Sequence, residues 1–199
     1  MKAFKINQKS ELYGVLKDCE KITKRVSVLQ TSELNNIMYE AETKTIYASD
    51  GRVLFAYVTS EIEDNLGDVK DGVLSIGGSY VILDEKPLKF LPKMKPLLVM
   101  SGEGMKRFEC NFSDQRLFTA ASRAVIECAK NGVKVSDKLL SSLNKLHWAF
   151  KFMLIKPWDV RPVFFTGDNV SFVVMPLHSD DWKEVTNDGG QEWQRSTTG

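Results

Sequence analysis

Lys17, Lys21 and Lys24 stand at i, i+4 and i+7, so a helix through them would carry three ammonium groups on one face, with Arg25 beside the last. A similar set follows at Lys86, Lys89 and Lys93, and a third pairs Lys138 with Lys145, one heptad apart, with Ser141 and Ser142 between. Ammonium groups along a helix face suit phosphate oxygens, which hold a protein on nucleic acid without reading its bases. No aromatic residue recurs on these faces, so stacking on single strands is not indicated. Any one such face is ordinary solvated surface, and the weight rests on there being three. The chemistry expected is sequence-independent, salt-sensitive attachment to double-stranded DNA.

Catalytic constellations are missing. His147 and His178 are the only histidines, and neither has metal-site spacing. His147 reads as the end of a helix and His178 as the head of a solvated tail. Gly77-Gly78-Ser79 could cradle a phosphate, yet it lacks the Gly-Lys-Ser/Thr of a P-loop. Glu61, Glu63 and Asp64 read as a solvated acidic run. Cys19, Cys110 and Cys128 are odd in number and widely spaced, which argues against a disulfide framework or a zinc site and for packing roles. The expectation is a non-enzymatic protein with no catalytic residue, no metal and no cofactor.

The elements that must position the lysines follow from periodicity. Met1 to Ile6 alternates as a strand. Ser10 is a candidate N-cap with Glu11 in the first turn, and Leu12, Val15, Leu16, Cys19, Ile22 and Val26 form the buried stripe of a helix. Asn36 to Ala41, Thr45 to Ala48 and Arg52 to Val58 read as three strands, completing a β-α-β-β-β unit. The pattern then repeats: a strand over Gly72 to Ile76, a kinked or short helix within Ser79 to Phe90, and strands at Leu97 to Ser101, Lys106 to Phe112 and Arg116 to Ala120. In a third copy Ala124 to Val135 contains a strand, Ser136 caps a helix with Leu139, Leu140, Leu143 and Leu146 buried, and Trp148 to Ile155, Arg161 to Phe165 and Ser171 to Met175 are strands. The fold class expected is α+β, with the first two units forming a domain over 1–122, the third unit over 123–178 and a polar tail over 179–199. Trp148 and Trp158 read as packing for the third sheet, whereas Trp182 and Trp193 stand in the tail as a partner contact or a packed-back anchor.

Composition is consistent with this. In 199 residues, 43% hydrophobic and 10% aromatic content suffices for a packed core. No apolar run reaches the length of a membrane span and no signal-peptide core opens the chain, so an intracellular, cytoplasmic protein with no membrane partner is expected. From Ser179 onward five acids face Lys183 and Arg195, and removing that −3 from the net +1 leaves the first 178 residues at +4.

At this point the residues resemble a family. Val163-Phe164-Phe165-Thr166-Gly167-Asp168-Asn169, followed by Val173-Val174-Met175-Pro176-Leu177, is similar to the closing hairpin of the bacterial sliding clamp, the β subunit of the replicative DNA polymerase. The leucine-rich helix from Ser136 resembles that family's last-domain helix. Lys2 to Ile6, Glu11 to Ile22 and Ala48-Ser49-Asp50-Gly51-Arg52 resemble its opening strand, helix and turn. The resemblance implies a DNA-clamp fold of repeated β-α-β-β-β units, sheets outside and helices lining a channel for duplex DNA. It also implies a processivity factor with a pocket for a short apolar motif of polymerases and other replication proteins, to which Val174, Met175, Pro176 and Leu177 are carried over. Twelve units to a closed ring, at three per chain, would make a homotetramer. The rival reading is a clamp-fold adaptor or decoy that binds the polymerase motif without encircling DNA.

Overall fold

The computed structural model describes residues 1–24, 32–92, 98, 104–109, 120–140, 150–158, 161–176, 182–187 and 190–195. β1 (Lys2–Lys5) leads into α1 (Glu11–Thr23), a 3-10 turn (Ser32–Asn35), then β2 (Ile37–Glu40), β3 (Thr45–Ser49) and β4 (Val53–Val58). A short α2 (Glu61–Leu66) precedes β5 (Gly72–Gly77), β6 (Tyr80–Glu85) and β7 (Lys106–Glu109). Next come α3 (Ala120–Lys130), α4 (Asp137–Leu140), β8 (Phe152–Ile155), β9 (Val163–Thr166) and β10 (Val170–Val174), and last β11 (Trp182–Asn187) and β12 (Gly190–Arg195).

Ten strands form one sheet in the order β1-β6-β5-β2-β3-β4-β10-β9-β8-β7, every pairing antiparallel. Two meanders, β2-β3-β4 and β8-β9-β10, meet back to back along β4 and β10, with Val53 opposite Val174 and Phe55 opposite Phe172. Each meander is preceded by helix, α1 in one case and α4 in the other. The sheet therefore runs without a break across residue 122.

Alternation along the strands sorts two cores. On one face Phe55, Phe165 and Phe172 pack with Leu12, Leu16 and Ile22 of α1, and with Ala124, Cys128 and Leu140 of α3 and α4. Phe150, Phe165 and Phe172 form its aromatic centre, with ring centroids 6.0–6.3 Å apart. Burying a leucine completely, as at Leu12 and Leu16, stabilises by about 1.5–3 kcal/mol each. On the opposite face Met38, Tyr47, Leu54, Phe164 and Val173 are covered by Leu34, Leu88 and Leu91.

The structure corrects three expectations. Tyr80–Glu85 is a strand where a helix was expected, because Gly78 at φ +63° turns the chain straight back and pairs Tyr80 with Gly77. Val81 and Leu83 then face the core, and Gly72 carries no Cβ because one would lie 2.4 Å from the Asp84 carbonyl oxygen. Ala120–Lys130 is helix, not strand. Alanines, Arg123, Glu127 and Lys130 favour it, and Gly132 at φ +69° ends it, its N–H donating to Ala129 and that of Val133 to Cys128. The polar tail forms an antiparallel ribbon, β11 with β12, apart from the main sheet. Of the strand expected over 97–101 the described residues hold Leu98, which is helical, and 110–119, the end of the third helix with His147 and Trp148, and His178 lie outside the described residues.

Candidate nucleic-acid interface and partner site

The Ser10 hydroxyl caps α1, accepting from the Tyr13 N–H at 3.3 Å. Burial of Leu12, Val15, Leu16, Cys19 and Ile22 then fixes the helix about its axis and turns Lys17, Lys21 and Lys24 outward, as the spacing predicts. The same burial pushes the Cys19 thiol well above its ordinary range, so it packs as a neutral group. Each of the first two lysines has an acid one turn away on its own helix. Lys17 pairs with Glu20 at 3.0 Å and lies 5.6 Å from the Tyr13 ring centroid, and the hydrogen bond it donates to Glu20 raises its pKa. Lys21 pairs with Asp18 at 2.8 Å. The largely exposed Lys17–Glu20 pair contributes about 0–1 kcal/mol, so a phosphate can replace that carboxylate, whereas the Asp18 partner of Lys21 is buried.

α3 and α4 share α1's side of the sheet, since Ala124, Cys128 and Leu140 enter the same core as Leu12 and Leu16. Lys138 of α4 is exposed in that layer. Further cations stand there: the exposed Lys130, paired with Glu127 at 2.8 Å, and the half-buried Arg123 and Lys134. Arg123 and Lys130 stand one heptad apart, which was the available signal.

The second lysine set is not on this layer. Lys86 follows β6 and pairs with Asp84 at 3.3 Å, and Lys89 lies between Leu88 and Leu91, both packed on the opposite face of the sheet. Three helical faces therefore do not converge as expected among the described residues. Lys17, Lys21, Lys24 and Lys138 share one layer, Lys86 and Lys89 belong to the other side, and Arg25, Lys93 and Lys145 lie outside the described residues.

Two segments that carried the family resemblance, far apart in sequence, meet at the central seam. Asp50 is buried and accepts from the N–H groups of Arg52 and Val53, each at 2.9 Å, holding the turn at Gly51, where φ is +83°. The carbonyl of Arg52 accepts from the Met175 N–H at 2.9 Å. Val174 points into the core and is fully buried, Met175 is 37% exposed and Pro176 half-buried, while Leu177 lies outside the described residues. Among the three described residues carried over to a motif pocket, Met175 and Pro176 are thus offered at the surface.

No protein-family model matches the chain, and no curated protein matches it either. Solved structures do. A candidate DNA polymerase III β subunit from Eubacterium rectale superposes with a TM-score of 0.51 at 10% identity, over 90% of this chain and 66% of that one. The DNA polymerase III β chain of Streptococcus pneumoniae gives 0.50 at 12%, again over 90% and 66%. This chain thus spans just under two thirds of the length of either. At such identity the likeness establishes the fold: the mixed α+β architecture with its large antiparallel sheet is the sliding-clamp fold.

Proposed function

We propose, from the sliding-clamp fold as premise, that this chain is a non-enzymatic processivity factor that encircles duplex DNA as a ring of several copies and tethers a DNA polymerase in the cytoplasm. The observation that carries the reading is the helix layer on one side of the ten-stranded sheet, with Lys17, Lys21, Lys24 and Lys138 on it. Phosphate contact by those ammonium groups would be independent of sequence. Arg123, Lys130 and Lys134 join that surface. The surface at Met175 and Pro176 is the proposed seat of an apolar peptide motif from polymerases and other replication proteins. The four-copy ring rests on twelve units to a ring and three per chain, each with its helix toward the channel. Since the Lys86 to Leu91 stretch lies against the other face, the copy number is to be read from the particle mass.

The test is topological. A ring loaded on a nicked circular plasmid stays bound in high salt and is lost when the plasmid is linearised. Equal loss from both forms overturns the ring. One observation favours the second reading, a clamp-fold adaptor that binds the polymerase motif without encircling DNA: α1 carries Glu11, Asp18 and Glu20 against its lysines, which leaves it close to neutral. An adaptor would bind motif peptide and show no dependence on plasmid topology.

A further inference from the structure

Trp158, expected to pack the third sheet, lies instead in the loop between β8 and β9 and is 83% exposed. Its backbone is left-handed at φ +59°, a conformation that is costly for a large side chain and persists where the surroundings hold it. Here the hold is the Trp158 N–H, which donates to the Asn131 carbonyl at 3.0 Å, just past the end of α3. Backbone strain spent on an aromatic that stays out of the core points to a use at the surface.

Gly132 sets the orientation of the ring. A Cβ added to that glycine would lie 2.2 Å from Cε3, 2.5 Å from Cδ2 and 2.6 Å from Cζ3 of the indole. Cδ2 and Cζ3 are the two ring neighbours of Cε3. An approach in the plane of the ring would leave both much farther off than Cε3 itself, so the near-equal distances put the glycine over the face of the six-membered ring. One face of the indole is thus seated on backbone that carries no Cβ, and the 83% exposure belongs to the other face and the edges. An open aromatic face held at a set angle is a stacking platform.

Charge selects what stacks there. The segments 127–138 and 156–161, which meet at this contact, carry Lys130, Lys134, Lys138, Lys156 and Arg161 against three acids. Lys130 and Lys134 stand two residues to either side of Gly132, the first exposed and the second half-buried. The ground is net positive, so it favours a ligand that brings negative charge along with a flat face. Inside a duplex each base is covered by its neighbours, and only an unpaired base has a face to offer. We propose that Trp158 is a stacking post for a base of single-stranded nucleic acid, with Lys130 and Lys134, either side of its seat, for the adjoining phosphates. Stacking tolerates any base, so the site takes strands of any sequence. It differs from the lysine layer of α1 in gripping base faces as well as phosphates, and it goes beyond the duplex reading.

The test uses linear strands and needs no ring, so it stands or falls separately from the plasmid assay. Fluorescence anisotropy of a labelled oligothymidylate, and of an abasic strand of the same length, is measured with the full chain, with Trp158→Asn and with Trp158→Phe. Asparagine tolerates the left-handed backbone and the side chain it replaces lies outside the core, so the fold is kept; far-UV circular dichroism checks this. The wild type is expected to bind thymidylate about tenfold more tightly than the abasic strand, the worth of one stacked base. Trp158→Asn is expected to bind both strands at the abasic level, and Trp158→Phe, which keeps an aromatic face, to retain part of the preference. No binding of thymidylate, equal affinity of the wild type for the two strands, or a preference undiminished in Trp158→Asn each overturn the proposal. A glutamate–tyrosine copolymer that binds the wild type and not Trp158→Asn, where thymidylate shows no such difference, overturns it in favour of an acidic protein partner.

Discussion

The Met175 N–H donates to the carbonyl of Arg52 at 2.9 Å, which ties the exit of the last sheet strand to the turn that opens β4. The bond uses only backbone, so the Met175 side chain, 37% exposed, is free to serve a partner without a structural duty. Met175→Ala should weaken binding of a synthetic peptide carrying a replicative polymerase's apolar clamp-binding motif by about tenfold, the worth of roughly 1.4 kcal/mol of apolar contact. Its urea midpoint should stay within error of the wild type. Val174→Ala should do the opposite, lowering stability by about 1–3 kcal/mol because the valine is fully buried. Calorimetry with the peptide and urea melts separate the two, and unchanged peptide affinity in Met175→Ala would remove this residue from the partner site.

Lys21 and Asp18 give a direct handle on the DNA reading. Asp18 is buried and holds Lys21 at 2.8 Å, so Asp18→Asn keeps the shape and removes the competing charge. The variant should bind duplex DNA more tightly, and the slope of log affinity against log salt should steepen by up to about 0.9, one further phosphate contact. Reversal of Lys17, Lys21 and Lys24 to glutamate should abolish DNA retention and leave peptide binding intact. A slope and affinity identical to wild type in Asp18→Asn would take α1 out of the DNA interface.

How far the sequence carried is clear from particular elements. α1 and β2 to β4 were legible because Leu12, Val15, Leu16, Cys19 and Ile22 keep helical spacing and Asp50-Gly51 marks a turn by its own chemistry. β6 was misread because Val81 and Leu83, with Leu88 and Leu91 beyond, match either period over so short a run. What decides it is the Gly78 turn and the pairing with β1 and β5, which is tertiary. Around α3 the β-branched Val125, Ile126 and Val133 favour β structure locally, and the alanines with the Gly132 stop decide for helix. The meeting of β4 with β10 has no local signal, and it alone brings Arg52 to Met175. The same limit applied to the lysines: spacing gave the outward face of α1, but which side of the sheet Lys86 and Lys89 would occupy depended on where Leu88 and Leu91 packed.

Alkaline pH should loosen the first core in a predictable direction. The Tyr39 hydroxyl is buried without a hydrogen-bond partner among the described residues, and burial, with the negative field of Glu63, Asp64 and Asp71, pushes its pKa up to about 12. Tyr57 is raised too, first by burial and then by its hydrogen bond to Glu11 at 2.8 Å. Both folded values exceed the ordinary phenol value, so their contribution to stability is whole below pH 10 and declines as pH rises from there through the folded values. Urea midpoints should be flat up to about pH 9.5 and fall toward pH 12, with a shallower fall in Tyr57→Phe. Phenolate absorbance rising in step with free tyrosine, with no late fraction, would contradict this.

Gly132 and Trp158 should be coupled in stability as well as in place. Gly132 has φ +69°, and a Cβ added there would lie 2.2 Å from Cε3, 2.5 Å from Cδ2 and 2.6 Å from Cζ3 of the indole. Gly132→Ala therefore suffers twice: about 1 kcal/mol for a left-handed alanine, and about 1–3 kcal/mol for overlap with the ring of a residue whose backbone N–H is held by the Asn131 carbonyl. In a Trp158→Asn background the overlap is gone and only the backbone cost should remain. A double-mutant cycle from urea unfolding should then return a coupling of about 1–2 kcal/mol, beyond the few tenths expected of residues not in contact. A coupling near zero would mean that the indole does not rest on the end of α3 in solution, and the left-handed backbone of Trp158 would then need another cause.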